Sequence, residues 1–311
     1  MKGDRTIKEM HIPSMMSSIQ KKIQNTVSVS TPSQQRTYSN SKAVQFIIHP
    51  SIMSELTTEE KDPSTQQQQL KQQHCITFQD VINASQRIKS IAHKTPVLSS
   101  SSINALCDNR QLFFKVEAMQ RTGSFKFRGA CNATLALTER HQIHNDENGD
   151  DDDDDAIHVV THSSGNHAAA VALAAREVSK TLPSSIGQIK STIVMPRNAP
   201  IIKVNGVKGF GGNIVPVDNT NEARETMADV IVEREKATFI HPSENEYVIA
   251  GQGTVCFEMV DQVREILGGD HVDCDLDVVI IPVGGGGLAA GNTIALRGLL
   301  GNKVKVCSTM L

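Results

Sequence analysis

Lys126 stands in the stretch Thr122-Gly123-Ser124-Phe125-Lys126-Phe127-Arg128-Gly129-Ala130, just after a small-residue turn and at the head of an apolar, helix-like run. A lysine so placed can be partly desolvated, which lowers its pKa and frees a neutral amine for Schiff-base chemistry. A solvated lysine at a helix start is the plainer reading of the same nine residues. Two further stretches bear on the choice: His162-Ser163-Ser164-Gly165-Asn166-His167 and Pro282-Val283-Gly284-Gly285-Gly286-Gly287-Leu288.

Gly284 to Gly287 follow an apolar strand pattern, Asp277 to Val283, and precede a helix pattern. Four glycines let successive backbone N–H groups converge on one point, an anion nest at a helix N-terminus suited to a phosphate. No Lys-Ser/Thr follows, so this is not a nucleotide P-loop, and the spacing is not that of the dinucleotide fingerprint. A tight strand–helix turn is the alternative, although four glycines exceed what a turn needs. Ser163-Ser164-Gly165-Asn166 suits either a helix cap or hydrogen bonding to a ligand. His167 reads as a structural first-turn histidine and not as a base.

The elements that must position these residues follow from hydrophobic periodicity. Thr77 to Ile91 reads as a helix with Thr77 as N-cap, Leu112–Val116 as a short strand and Phe125–Leu137 as a helix. Strands are then predicted at Ile157–Thr161, Thr192–Met195, Asn213–Val217, Thr238–Ile240, Val278–Val283 and Val304–Cys307. Helices are predicted at His167–Val178, Ile201–Lys208, Asn221–Lys236, Thr254–Leu267 and Leu288–Leu299. Alternating strands and helices imply an α/β fold with a parallel, doubly wound sheet. Ligands of such sheets sit where strand ends lead into helix N-termini, which is where the serine–asparagine stretch and the tetraglycine both fall.

The 311 residues allow one large or two ordinary domains. A net charge of −3 gives no support for a nucleic-acid binder, and no apolar run approaches the ~18 residues of a membrane span. The six scattered cysteines form no C-x-x-C pair, which argues against zinc or a disulfide framework and for thiols in a reducing, cytoplasmic setting. Residues 1–73, rich in Ser, Gln, Thr and Lys, read as a disordered or targeting segment. Arg36-Thr37-Tyr38-Ser39 looks like a mitochondrial processing site, the alternative location, although Asp4 and Glu9 are atypical of a transit peptide. The run Asp150 to Asp155 reads as a solvated loop insertion, since consecutive aspartates lack the spacing of a calcium loop.

A reactive lysine, a phosphate nest and a polar loop together specify a phosphate-bearing aldehyde, pyridoxal 5'-phosphate. From about Cys75 to Val306 the chain resembles the fold type II (tryptophan synthase beta-like) pyridoxal-phosphate enzymes, and within them the serine racemase and serine/threonine dehydratase family. The three motifs stand in family order, supported by Thr95-Pro96-Val97-Leu98, Met195-Pro196, Ala199-Pro200, His241-Pro242 and Ile249-Ala250-Gly251-Gln252-Gly253-Thr254. The resemblance implies two doubly wound parallel-sheet domains: a large cofactor domain from 74–145 and 247–311, and a small domain from 146–246. It implies that Lys126 carries the cofactor and acts as one acid/base, that Asn166 bonds the cofactor's ring hydroxyl, that Gly284, Gly285, Gly286 and Gly287 hold its phosphate, and that Ser243 lies near it. Ser164 matches the serine that serves racemases as the second acid/base, where dedicated threonine dehydratases usually carry alanine.

The implied activity is racemisation of serine with accompanying β-elimination of serine or threonine to a 2-oxo acid and ammonia. The alternatives are a dehydratase that only eliminates, or a non-catalytic cofactor-binding remnant. The resemblance further implies a small amino-acid substrate, a homodimer, and ATP and Mg2+ as effectors. Ser100, Ser101, Arg121 and Thr122 match the nucleotide-lining positions; no metal ligands are assigned. Three positions depart from the pattern: Ala169 for glutamine, Phe210 for tyrosine and Ser243 for asparagine. Family members also continue well beyond Val304-Lys305-Val306. Roughly the last third of their catalytic unit, with the Ser-Gly-Gly-Asn loop that meets the pyridine nitrogen and the metal carboxylates, has no counterpart before Leu311. The expectation is a larger domain that is incomplete and a chain that alone is unstable or weakly active.

Overall fold

Thr77 opens the first helix as its chemistry requires. Its hydroxyl accepts from the Asp80 N–H at 3.3 Å and the Asp80 carboxylate accepts from the Thr77 N–H at 2.7 Å, a reciprocal capping box. Helix α1, Phe78–Ile88, then buries Val81, Ala84 and Ile88. The computed structural model describes residues 76–148, 156–183, 187–268 and 276–310; the leader, the glutamine tract, the Asp150–Asp155 run, Cys75 and Cys274 lie outside them.

Strand β1, Val97–Leu98, pairs antiparallel with β2, Phe114–Lys115, so the strand expected over 112–116 is shorter and has a partner that periodicity did not mark. Between them runs α2, Ser101–Leu106, a helix also absent from the expectations because it buries none of its residues and so has no apolar stripe to read.

Helix α3, Lys126–Asn148, leads into the parallel βα succession. It comprises β3 (His158–His162), α4 (Asn166–Ser179), β4 (Lys190–Pro196), α5 (Ile201–Gly209), β5 (Asn213–Val217), α6 (Asn221–Glu235) and β6 (Thr238–Phe239). The strands form one sheet in the order β5-β4-β3-β6, all parallel. Alternation along the strands covers both faces. Val159, Ile193 and Met195 pack with Phe127, Val171 and Leu173 on one side. Val160, Val194 and Val217 pack with Ala228 and Ile231 of α6 on the other. The doubly wound expectation is met here.

The chain continues through α7 (Glu246–Leu267), β7 (Val278–Val283), α8 (Gly287–Leu300) and β8 (Lys305–Met310). β7 and β8 pair in parallel, from Val278 opposite Lys305 to Val283 opposite Met310. A second core joins Val81 and Ala84 of α1 to Val260 and Val263 of α7, Val279 and Ile281 of β7, and Ala295 and Leu296 of α8. Helix α7 begins at Glu246, capped by Asn245, eight residues before the expected start at Thr254. Gly251 and Gly253 weaken a helix by about 1 kcal/mol each relative to alanine, which hid the earlier turns. Tertiary contact overrides that cost, because both glycines lie at tight helix crossings.

Candidate active site

Lys126 is the first residue of α3, half-buried, and its Nζ donates to the main-chain carbonyl of Pro242 at 2.7 Å. Burial holds its ammonium below the ordinary lysine pKa. The turn before it is closed locally, with the Ser124 hydroxyl accepting from the Lys126 N–H at 3.3 Å. Two residues on, the fully buried Arg128 side chain anchors the helix start. It donates to Glu117 at 2.8 and 2.9 Å and to Glu258 at 2.8 and 2.9 Å, a guanidinium held by two carboxylates in matching fork geometry. Lys115 closes the network with a 2.8 Å bond to Glu258.

The segment Ile240 to Ser243, just after β6, is where the three motifs meet. The Ile240 carbonyl accepts from His167 Nε2 at 3.0 Å. The His241 ring meets the His162 ring edge-on at 6.2 Å. The Pro242 carbonyl takes Lys126, and Ser243 seats against the glycine loop: a Cβ on Gly285 would come 2.7 Å from the Ser243 hydroxyl, and one on Gly287 would come 2.9 Å from its carbonyl. His241 shapes this segment through Nδ1, which accepts from the N–H groups of Ser243 and Glu244 at 3.2 and 2.9 Å.

Gly284 and Gly286 face open space, and Gly286 sits at φ +84°, in the left-handed region that favours glycine. Helix α8 has Gly286 at its N-cap with no side-chain cap hydrogen bond, so its first N–H groups lack a side-chain cap. The loop is a strand–helix turn that leads into an uncapped helix start, the setting that an anion nest requires.

At the end of β3, the Ser163 hydroxyl accepts from the Gly165 N–H at 3.3 Å, while Gly165 stands at the N-cap of α4 with no side-chain cap. The capping alternative for Ser164 and Asn166 is thus set aside: Ser164 is half-buried in the turn and Asn166 is exposed at the first position of α4. His167 is buried, and burial pushes its pKa down to about 3, so it is a neutral structural histidine whose Nε2 carries the proton given to Ile240.

The four nucleotide-site residues fall in two places. Ser100 caps α2 and Ser101 is exposed on it. Arg121 pairs with Glu177 of α4 at 3.1 Å and stacks over Phe127 at 6.0 Å, while the buried Thr122 hydroxyl has no hydrogen-bond partner. Glu177 occupies one Arg121 nitrogen, Nη1, while Arg121 Nε has no hydrogen-bond partner. Among the described residues no cluster of three His, Cys, Asp or Glu side chains is placed to hold a metal, and no helix is long and apolar enough to cross a membrane. Residue-type reasoning missed the role of His162 and His241 and of the Pro242 carbonyl. The one local signal was His241-Pro242 shortly after a strand, and its contacts with Lys126 and His162 are long-range.

The family profile of pyridoxal-phosphate dependent enzymes matches residues 88–308, and the chain belongs to that family. Its fold is that of the fold type II members. It is 44% identical over 226 residues to a serine racemase of Oryza sativa subsp. indica, covering 73% of this chain and 57% of that one. It superposes on the crystal structure of serine racemase from Dictyostelium discoideum with TM-score 0.62 and 38% identity, covering 76% of this chain and 66% of that one. It superposes on the crystal structure of a T.th. threonine deaminase with TM-score 0.61 and 32% identity, covering 76% of this chain and 65% of that one. The chain spans about three fifths of the length of the curated relatives it matches. Family membership implies pyridoxal phosphate, and the site fits it: a desolvated amine, a glycine cradle that a Cβ would fill against Ser243, and an uncapped helix start.

Proposed function

We propose that this chain carries the cofactor-binding and acid–base residues of a serine racemase that also eliminates serine or threonine to a 2-oxo acid and ammonia. The observation that carries the reading is the Lys126 amine on the Pro242 carbonyl, one residue from a Ser243 seated on the glycine loop. Lys126 would hold the cofactor, Gly284 to Gly287 its phosphate, Asn166 its ring hydroxyl, and Ser243 would line it. The bound cofactor withdraws electrons and acidifies the substrate's α-proton. Lys126 Nζ, kept partly desolvated and therefore more readily neutral, takes that proton on one face. Ser164 Oγ–H supplies one to the opposite face, which inverts the centre. Departure of the β-hydroxyl instead gives the 2-oxo acid and ammonia.

The test is to measure D-serine and pyruvate formed from L-serine by the wild-type chain and by Ser164→Ala. Loss of D-serine with much of the pyruvate retained supports the reading; unchanged D-serine formation overturns it. The likeness to threonine deaminase favours elimination alone as a second reading, and it predicts pyruvate without D-serine in the wild type. A third reading is a cofactor-binding chain without turnover. Covalent loading of Lys126 with neither product would select it.

The same reading carries an amino-acid substrate, a homodimer, ATP and Mg2+ as effectors, and a division into a large domain (74–145 with 247–311) and a small one (146–246). The parallel four-stranded sheet, built wholly within His158–Phe239, supports that division. Cys107, Cys131, Cys256 and Cys307 are unpaired, which suits a reducing compartment such as the cytoplasm.

A further inference from the structure

The amine of Lys126 and the glycine loop before α8 stand on different helices, and a ligand that uses both needs them at a fixed separation. Helix α7 packs on both α3 and α8. Its residues Gly251, Gln252 and Gly253 divide the two contacts between them. A Cβ on Gly251 would come 2.7 Å from the Arg128 carbonyl and the Gly129 Cα, and a Cβ on Gly129 would come 2.7 Å from the Val248 carbonyl. On the other side, a Cβ on Gly253 would come 2.7 Å from the Gly291 carbonyl, and one on Gly291 would overlap the Ile249 carbonyl. At both crossings backbone approaches backbone closely, flanked by the Gln252 side chain beside Gly129 and by Val81 Cγ2 beside Gly253, so the helices have little room to shift.

Each crossing is also pinned by a buried polar side chain. On the α3 side Arg128 bonds Glu258 of α7 at 2.8 and 2.9 Å. On the α8 side Asn292 accepts from the Cys256 N–H of α7 at 2.7 Å and donates to the Leu288 carbonyl, in the first turn of α8, at 2.8 Å. The pins sit at the ends that matter: Arg128 two residues from Lys126, and Leu288 one residue past the glycine loop.

We infer that Gly251 and Gly253 of α7, with Gly129 and Gly291 opposite them, are positioning residues that set the spacing between the Lys126 amine and the anion nest, so that one molecule is held at both ends. The inference rests on the cofactor reading above. Two-point attachment multiplies affinity through effective concentration, and a shift of a few tenths of an ångström at a crossing removes that gain while leaving each single point intact.

The test compares three probes on the full chain: pyridoxal 5'-phosphate, which uses both points; pyridoxal, which uses the amine; and inorganic phosphate as competitor, which uses the nest. Affinities are read from the absorbance change on loading, in the wild type, Gly251→Ala, Gly291→Ala and Asn292→Ala. Pyridoxal phosphate should weaken about tenfold or more in each variant, while pyridoxal and inorganic phosphate stay within about twofold. Asn292→Ala adds no atom and carries the test where an alanine at a glycine does not yield folded protein. Pyridoxal phosphate affinity within twofold of wild type overturns the inference. So does a parallel loss of all three probes, which is a general loss of structure. A wild type that binds pyridoxal phosphate no more tightly than pyridoxal instead removes the cofactor reading itself.

Discussion

The amine of Lys126 and the carbonyl of Pro242 lie 2.7 Å apart across 116 residues of chain. This bond places the one amine that local sequence singles out directly beside the serine that cradles the glycine loop. It also gives Lys126 a partner that keeps it in place without neutralising it, since a carbonyl carries no charge to hold the ammonium form.

Incubation with pyridoxal phosphate followed by borohydride reduction should label Lys126 and no other lysine of the described residues, as read by peptide mass mapping. Lys126→Ala should abolish both the label and any turnover. A label of equal yield on Lys115, the other buried lysine, would contradict the assignment.

Loading should respond to pH in a direction set by burial. Desolvation lowers the Lys126 pKa below 10.5, so the neutral amine is populated at lower pH than in a free lysine. The loading rate should rise with pH and level off with a midpoint below that of a model lysine amine. A midpoint at or above 10.5 would mean that the side chain is solvated.

Arg128→Met should destabilise the fold by about 3–5 kcal/mol, because Glu117 and Glu258 lose the cation that their partial burial requires. Denaturant unfolding measures it; a loss below about 1 kcal/mol would show solvent compensating the carboxylates. In the wild type, burial alone would raise the Glu258 carboxyl, but its bonds and charge contacts with Arg128 and Lys115 outweigh burial and hold it below 4.5. That stabilisation is fully present above 4.5 and is lost as pH falls through the lower folded value. Stability should therefore decline in acid, and in Arg128→Met the carboxyl should titrate at higher pH.

Burial pushes the Cys131 and Cys256 thiols up to about 12, which leaves them unreactive at neutral pH. Among the cysteines of the described residues, alkylation of the native chain should label the half-buried Cys107 and Cys307 first, and Cys131 and Cys256 only after unfolding. Equal rates for Cys131 and Cys107 would indicate local opening of α3.

What could be read along the chain was what short-range physics determines. Thr77 and Asp80 announce α1 because a capping box is closed within four residues. Strands β3 and β4 were legible because strands buried on both faces read as apolar runs, and the Gly284–Gly287 loop because four consecutive glycines between a strand and a helix pattern exceed what a turn needs. Lys126 was legible as a candidate from the small-residue turn before it. The tertiary structure decided the rest. It set aside a capping role for Ser164 and Asn166, extended α7 back through Gly251 and Gly253, and brought the Pro242 carbonyl to the lysine. The last two outcomes depend on partners over a hundred residues away or on another helix's backbone, such as Arg128 and Gly291 against α7. Local propensity counts each glycine of α7 as a loss of about 1 kcal/mol, and it becomes a gain only once two other helices have arrived to fill the space it leaves.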